Sequence, residues 1–312
     1  MAAGSSAGKL DTLNTIRLTG AGFRATLPLM KFAFSTLACP KWDLATIAAK
    51  ACEYGYDGVE IRAFLNENIL TTANVFLTDP AKVRELFARA GAAIACLSTS
   101  VAMTGDKGRD RLAATDLRHS IDVAATLGTG YVKIFDLQLR PGQNREAAAA
   151  AMGQWLRPLA DYAAEKSLKI LVENQLSFRR ASELWLIIET AAHPAVAACW
   201  DVLNAALAGE RPAVSVPTLN SRIELVQVKD AYLRDVGANY CKLGDGDLRV
   251  PELVNRLKGI GYDGWISFEF EKAWLANLAE PEESLAQAIA VLREMCGMET
   301  VAAEETTAAA AE

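Results

Sequence analysis

Short apolar runs alternate with longer stretches of helical periodicity through most of the chain, and several of the runs end abruptly on charge. Lys169 to Asn174, KILVEN, is the clearest of them. An apolar run of that length bounded by polar residues reads as a strand buried on both faces, and a carboxylate at its C-terminal end must face a cleft or a cation. Glu173 is therefore the first candidate for a functional group. The pattern recurs: AVAACWD ends on Asp201, LVQVKD on Lys229 and Asp230, and WISFEFE on Glu269 and Glu271.

In chain order, KFAFS from Lys31 to Ser35 is the first strand, and a helix follows over about Asp43 to Tyr54 with Asp43 as its N-cap. GYDGVEIR is a turn and second strand. Asp79 caps a helix that has proline at its first position and runs to about Ala90, before the third strand, AAIACLS. Helices over about Arg109 to Leu127 and Arg145 to Lys166 lead to YVKIF and KILVE. Helix Ala181 to Ala192, strand AVAACWD, a short helix near Asn204 and strand ELVQVKD come next. Helix Pro251 to Ile260, strand WISFE and helix Pro281 to Glu294 close the series.

Roughly eight strand-helix units predict an α/β fold, a single closed (β/α)8 TIM barrel over residues 29–298, because right-handed crossovers keep successive strands parallel and adjacent. Residues 1–28 are expected to be an N-terminal extension, and residues 299–312 a flexible Ala/Glu/Thr tail. An open doubly wound sheet is the competing architecture, weakened by the lack of a GxGxxG turn and of a GxxxxGK[ST] loop. In a barrel, the C-terminal strand ends converge on one mouth. Glu173, Asp201 and Glu269, with the amide of Gln227, would then share a pocket, and clustered carboxylates are costly unless a cation holds them or they take up protons. One divalent cation resolves that cost most simply.

Composition narrows the picture. With 51% hydrophobic residues in 312, the chain can bury one large core. Its 32 basic and 38 acidic residues give a formal charge of -6, which argues against a nucleic-acid partner. Six widely spaced cysteines without a CxxC pair read as buried free thiols in a reducing cytoplasm. Lys9, Arg17, Arg24 and Lys31 interrupt any signal-peptide core, and no stretch is long enough to span a membrane.

The order VEN, WDVLNA, VQVKDA and LGDGDLRVPELVNRLKGIGYDGWISFEFE, together with GYDGVEIR, resembles the xylose isomerase-like TIM-barrel superfamily of sugar isomerases, epimerases and cyclitol dehydratases. The resemblance runs from about Met30 to Trp274 and is most specific in its last stretch. It implies that the family's metal-binding residues fall on Glu173, Asp201 and Glu269, with Gln227 where the family usually has histidine. Asn204 stands where the family usually has a substrate-contacting histidine. Glutamine for imidazole leaves an all-oxygen set, which favours Mg2+ or Mn2+ over Zn2+. The implied chemistry is abstraction of a proton beside a carbonyl, with Glu173 and Glu269 exchanging protons and a cation stabilising the enediolate.

The expected function is a divalent-metal-dependent isomerase or epimerase of an unphosphorylated ketose or keto-sugar. A lyase acting on a keto-cyclitol or keto-sugar through the same enolate, and a sugar-binding barrel that has lost catalysis, are the alternatives. A phosphorylated substrate is disfavoured because Asp245 and Asp247 in CKLGDGDL would repel it, opposed only by Lys242 and Arg249. Asn204, Lys229, Arg234, Trp42 and Trp274 are the candidate substrate contacts; Lys229 could instead form a rim salt bridge with Asp230 or Glu271. Phe178, Trp200 and Tyr232 are further aromatic candidates, and Arg62, Lys133 and Arg140 further basic ones. His119 and His193 lie in or just after helices, so a histidine-rich zinc cluster is not expected. Ser98 and Ser100 lack the partners of a nucleophile. A homo-oligomer is expected by resemblance.

Overall fold

The computed structural model describes residues 30–62 and 78–298. The expected extension over residues 1–28 and the tail over residues 299–312 fall outside the described residues. Eight parallel strands close into a barrel in the order β1 (Lys31–Ser35), β10 (Trp265–Phe268), β7 (Ile223–Val228), β6 (Val196–Asp201), β5 (Lys169–Glu173), β4 (Tyr131–Phe135), β3 (Ala93–Ser98) and β2 (Gly58–Ile61). The helices that cover them are α1 (Leu44–Tyr54), α2 (Pro80–Ala90), α3 (Lys107–Leu127), α4 (Arg145–Glu165), α5 (Ala181–Ala191), α8 (Val250–Gly259) and α9 (Pro281–Cys296), with the shorter α6 (Val202–Leu207) and α7 (Pro212–Leu219) between β6 and β7.

The caps explain the boundaries. Asp43 accepts the Thr46 N–H at 2.8 Å and Asp79 the Lys82 N–H at 3.3 Å, as the sequence pattern predicts. Helix α3 begins two residues before the expected start because Asp106 accepts the N–H groups of Gly108 and Arg109 at 3.0 and 2.9 Å. Helix α7 and the antiparallel hairpin of β8 (Asp230–Leu233) and β9 (Ala238–Cys241), which grows out of the end of β7, were not expected.

Strand alternation divides the core in two. Ile170, Val172, Val226, Val228, Ile266 and Phe268 belong to the cluster between strands and helices, whereas Ala33, Cys96, Leu171, Cys199, Leu225 and Trp265 form a separate cluster inside the barrel. Trp265 fills the lower interior, and an added Cβ on Gly58 would come within 2.9 Å of its ring, so the glycine makes room for it. All six cysteines are free. Only Cys39, Cys96 and Cys199 are buried; Cys52 is exposed, and Cys241 and Cys296 are half-buried, contrary to the expectation of six buried thiols. No helix among the described residues is long and apolar enough to cross a membrane.

Candidate active site

Two residues above each apolar interior position, the side chains turn polar. Leu171 is followed by Glu173, Cys199 by Asp201, Leu225 by Gln227 and Lys229, Trp265 by Ser267 and Glu269, and Cys96 by Ser98. The period of two thus carries one inward face from a greasy floor to a charged upper layer. Ladder pairing aligns Glu173 with Cys199 and Asp201 with Gln227, which fixes their relative heights. The cavity above holds about 230 Å³ and is lined by Leu37, Arg62, Lys133, Phe135, Glu173, Gln175, Glu269, Glu271 and Trp274.

Glu60, Glu173, Asp201, Glu269, Lys133, Lys229 and Gln227 are all 5% exposed or less, so their charges must be answered from within. Lys133 is in ion-pair contact with Glu173. Lys229 Nζ reaches Asp201 at 2.7 Å, contacts Glu269, and lies 3.5 Å from Glu271. Gln227 donates its amide N–H groups to Glu60 at 2.8 Å and to Glu269 at 3.1 Å. Ser98 donates its hydroxyl to Glu60 at 2.5 Å. Asp201 also accepts the Asn204 N–H at 2.7 Å, capping α6, while the Asn204 side chain donates to Gln175 at 2.5 Å.

These surroundings drive the two central glutamates apart. Burial, with Glu269 and Asp201 nearby, pushes Glu173 up to about 8 despite Lys133. Burial acts on Glu269 too, but Lys229 and Lys133 hold it below the ordinary carboxylate range. Burial and then Glu269 raise Glu60. Lys229 stays well above the usual lysine value: burial works against its charge, and Asp201 and Glu269 more than offset that. The two glutamates are thus shifted in opposite directions, Glu173 toward keeping its proton and Glu269 toward losing it.

The rim pairing open to Lys229 goes inward rather than to Asp230. Asp230 instead accepts the N–H groups of Ala231 and Gly244 at 2.9 Å, Gly246 at 3.1 Å and Leu248 at 3.2 Å, tying down the CKLGDGDL loop. Trp274 lines the cavity and lies over Arg62, which also faces the Phe135 ring. Trp42 packs against the outer core and Arg234 sits exposed at the hairpin tip, so neither lines this cavity. Phe178 and Trp200 are core residues, each 1% exposed. Glu60, Gln175 and Phe135 escaped the sequence reading, although Glu60 is the one charge in an otherwise apolar strand. Asp136 escaped it too; it accepts the N–H groups of Leu176, Ser177 and Phe178 at 2.5, 2.9 and 2.5 Å, which shapes the segment after Glu173.

The expected cation set of Glu173, Asp201, Gln227 and Glu269 does come together, but its three carboxylates are engaged by lysines. Each carboxylate holds an ammonium, and Gln227 turns N–H groups, not its carbonyl oxygen, toward Glu269 and Glu60. Its Oε1 is buried without a hydrogen-bond partner. Among the described residues, no group of three or more His, Cys, Asp and Glu side chains is arranged to hold a metal ion. A divalent ion on these oxygens would meet two ammonium groups in contact with the same oxygens. The arrangement does not fit one.

Solved structures of sugar epimerases and of a probable 3-DHS dehydratase share this fold. A xylose isomerase-like TIM barrel/4-hydroxyphenylpyruvate dioxygenase fusion protein is 21% identical with a TM-score of 0.71; the match covers 86% of this chain and 43% of that one. The IolI protein, solved with a bound zinc atom, is 19% identical with a TM-score of 0.71, covering 85% of this chain and 98% of that one. The 3-keto-D-glucoside 4-epimerase YcjR from E. coli is 16% identical with a TM-score of 0.68, covering 85% and 99%. No curated protein matches the chain. The family model for the xylose isomerase-like TIM barrel matches residues 48–295, every barrel strand except β1 and all of the residues of the charged layer. On that match the chain belongs to the xylose isomerase-like TIM barrel family.

Proposed function

We propose that this chain is an isomerase or epimerase that moves a proton beside the carbonyl of an unphosphorylated ketose or keto-sugar, through an enediolate. The observation that carries this reading is a pair of buried carboxylates, Glu173 and Glu269, lining one cavity, with burial raising Glu173 and the Lys229 ammonium lowering Glu269. Glu269 takes the proton from the carbon next to the carbonyl, and Glu173 delivers one to the enediolate. Trp274 and Phe135 offer apolar ring surface to the sugar, and Arg62 a donor to its hydroxyls. The Mn2+ or Mg2+ ion of the sequence expectation has no step here, because the paired side chains do not fit it.

A lyase is the second reading, and the same protonated Glu173 favours it. Glu269 takes the α proton, and as the enolate collapses Glu173 gives its proton to the hydroxyl β to the carbonyl, so that the C–O bond breaks, water leaves and an enone forms. The test is incubation of the full chain with free ketoses, keto-sugars and keto-cyclitols in D2O. Isomerase chemistry replaces a substrate C–H by C–D without elimination, and lyase chemistry produces enone absorbance. If neither occurs with any of these substrates, the barrel has no catalytic role for this site.

A further inference from the structure

The charged layer contains its own cations, and their positions bear on how an enediolate would be held. Lys133 on β4 and Lys229 just past β7 are 1% and 2% exposed and reach the carboxylates of β5, β6 and the end of β10. Together they contact all three of the carboxylates expected to share a divalent ion. Gln227 adds two amide donors to the same layer, one to Glu60 and one to Glu269. Lys133 lines the cavity; Lys229 lies behind the lining, braced by Asp201, Glu269 and Glu271.

We infer that Lys133 and Lys229 take the place of a divalent cation in this barrel, so that the site is neutralised and works without a bound metal. This rests on the proposed proton-transfer reading. As the C–H bond breaks and its proton passes to Glu269, the electron pair moves toward the carbonyl oxygen, and the Lys133 ammonium at the cavity wall faces the charge that develops there. Lys229 is a positioning residue: it pairs with Asp201 and Glu269 and holds both in place. A lysine is well suited to this because its ammonium is a compact point charge with three donors.

The test uses full-length protein stripped with a chelator. One arm titrates Mn2+ alone, followed by its electron paramagnetic resonance signal, and repeats the titration calorimetrically with Zn2+. The other arm measures deuterium incorporation into the ketose panel with and without Mn2+. The expected result is no stoichiometric binding of either ion at micromolar concentration, with equal exchange in both conditions. Lys133→Met should lower exchange by about 10² to 10³-fold, and Lys133→Arg should recover part of it. Lys229→Met should shift the acidic limb of the pH profile upward, which loss of packing alone would not do. Stoichiometric Mn2+ or Zn2+ binding by the wild-type chain, or exchange that depends on added metal, overturns the inference and leaves the isomerase reading standing. Absence of exchange with every sugar ends that reading instead, and the metal titration still decides whether the lysines neutralise the site.

Discussion

Glu173 shows how a single residue can be legible in sequence while its state is not. A carboxylate at the end of an apolar strand announces a site, and the period of two places it on the same face as Asp201, Gln227 and Glu269 once the strands close. What the sequence could not carry is pairing across strands: Lys133 is a separate element away, and only the register of β4 on β5 brings it to Glu173. Glu60 was hidden for the same reason, since its partners Ser98 and Gln227 lie 38 and 167 residues along the chain. Replacing Glu173 with Gln should lower the exchange rate by about 10² to 10⁴-fold with little change in ligand affinity, as expected for loss of a positioned acid. The pH profile gives an independent reading. Glu173 must be protonated to act, so the rate should fall as pH rises through about 8, and the Glu269 limb should lie below the ordinary carboxylate range. A flat profile from pH 6 to 9 would remove Glu173 from the acid role.

At the scale of elements, the βα rhythm was readable because strands and helices differ in period and because Asp43 and Asp79 cap where capping residues are expected. The hairpin of β8 and β9 was not, since Asp230 at its start is anchored to a loop 14 to 18 residues further on and not by local alternation. Asp230 collects four backbone N–H groups, three of them from the loop between Gly244 and Leu248. Asp245 and Asp247 make that loop a poor phosphate site, and its order has a cause within the chain. Asp230→Ala leaves those donors without their acceptor, and the expected loss is on the order of 3 kcal/mol, measurable as a lower midpoint in urea. Gly246 belongs to the same device, because an added Cβ would sit 2.2 Å from Asp230 Oδ1 and 2.7 Å from the Ala231 backbone. Gly246→Ala should therefore destabilise the chain while the helical circular dichroism at low denaturant is kept.

For the whole molecule, the charged layer sits on the apolar interior of the barrel, and the two are coupled through folding. Glu173 has an ordinary value of 4.5 and is raised to about 8 in the fold, chiefly by burial. The folded state thus binds a proton there more tightly than the unfolded chain does. Such a group contributes stability that is complete below about 4.5 and is lost progressively as pH rises toward about 8. Asp136, raised by burial from 3.8 to about 6 against its backbone donors, adds in the same direction over a lower window. Glu269 works in the opposite sense, but its lowered value confines its effect to acid below 4.5. The thermal midpoint of the wild-type chain should accordingly decline between pH 5 and pH 8, where many globular proteins are at their most stable. Glu173→Gln, which fixes the neutral form, should flatten the upper part of that decline: the variant should match wild type near pH 5 and exceed it at pH 8. A midpoint that rises across this range in the wild type, or an identical slope in the variant, would show that Glu173 is ionised in the folded barrel, and the acid role assigned to it would go with that result.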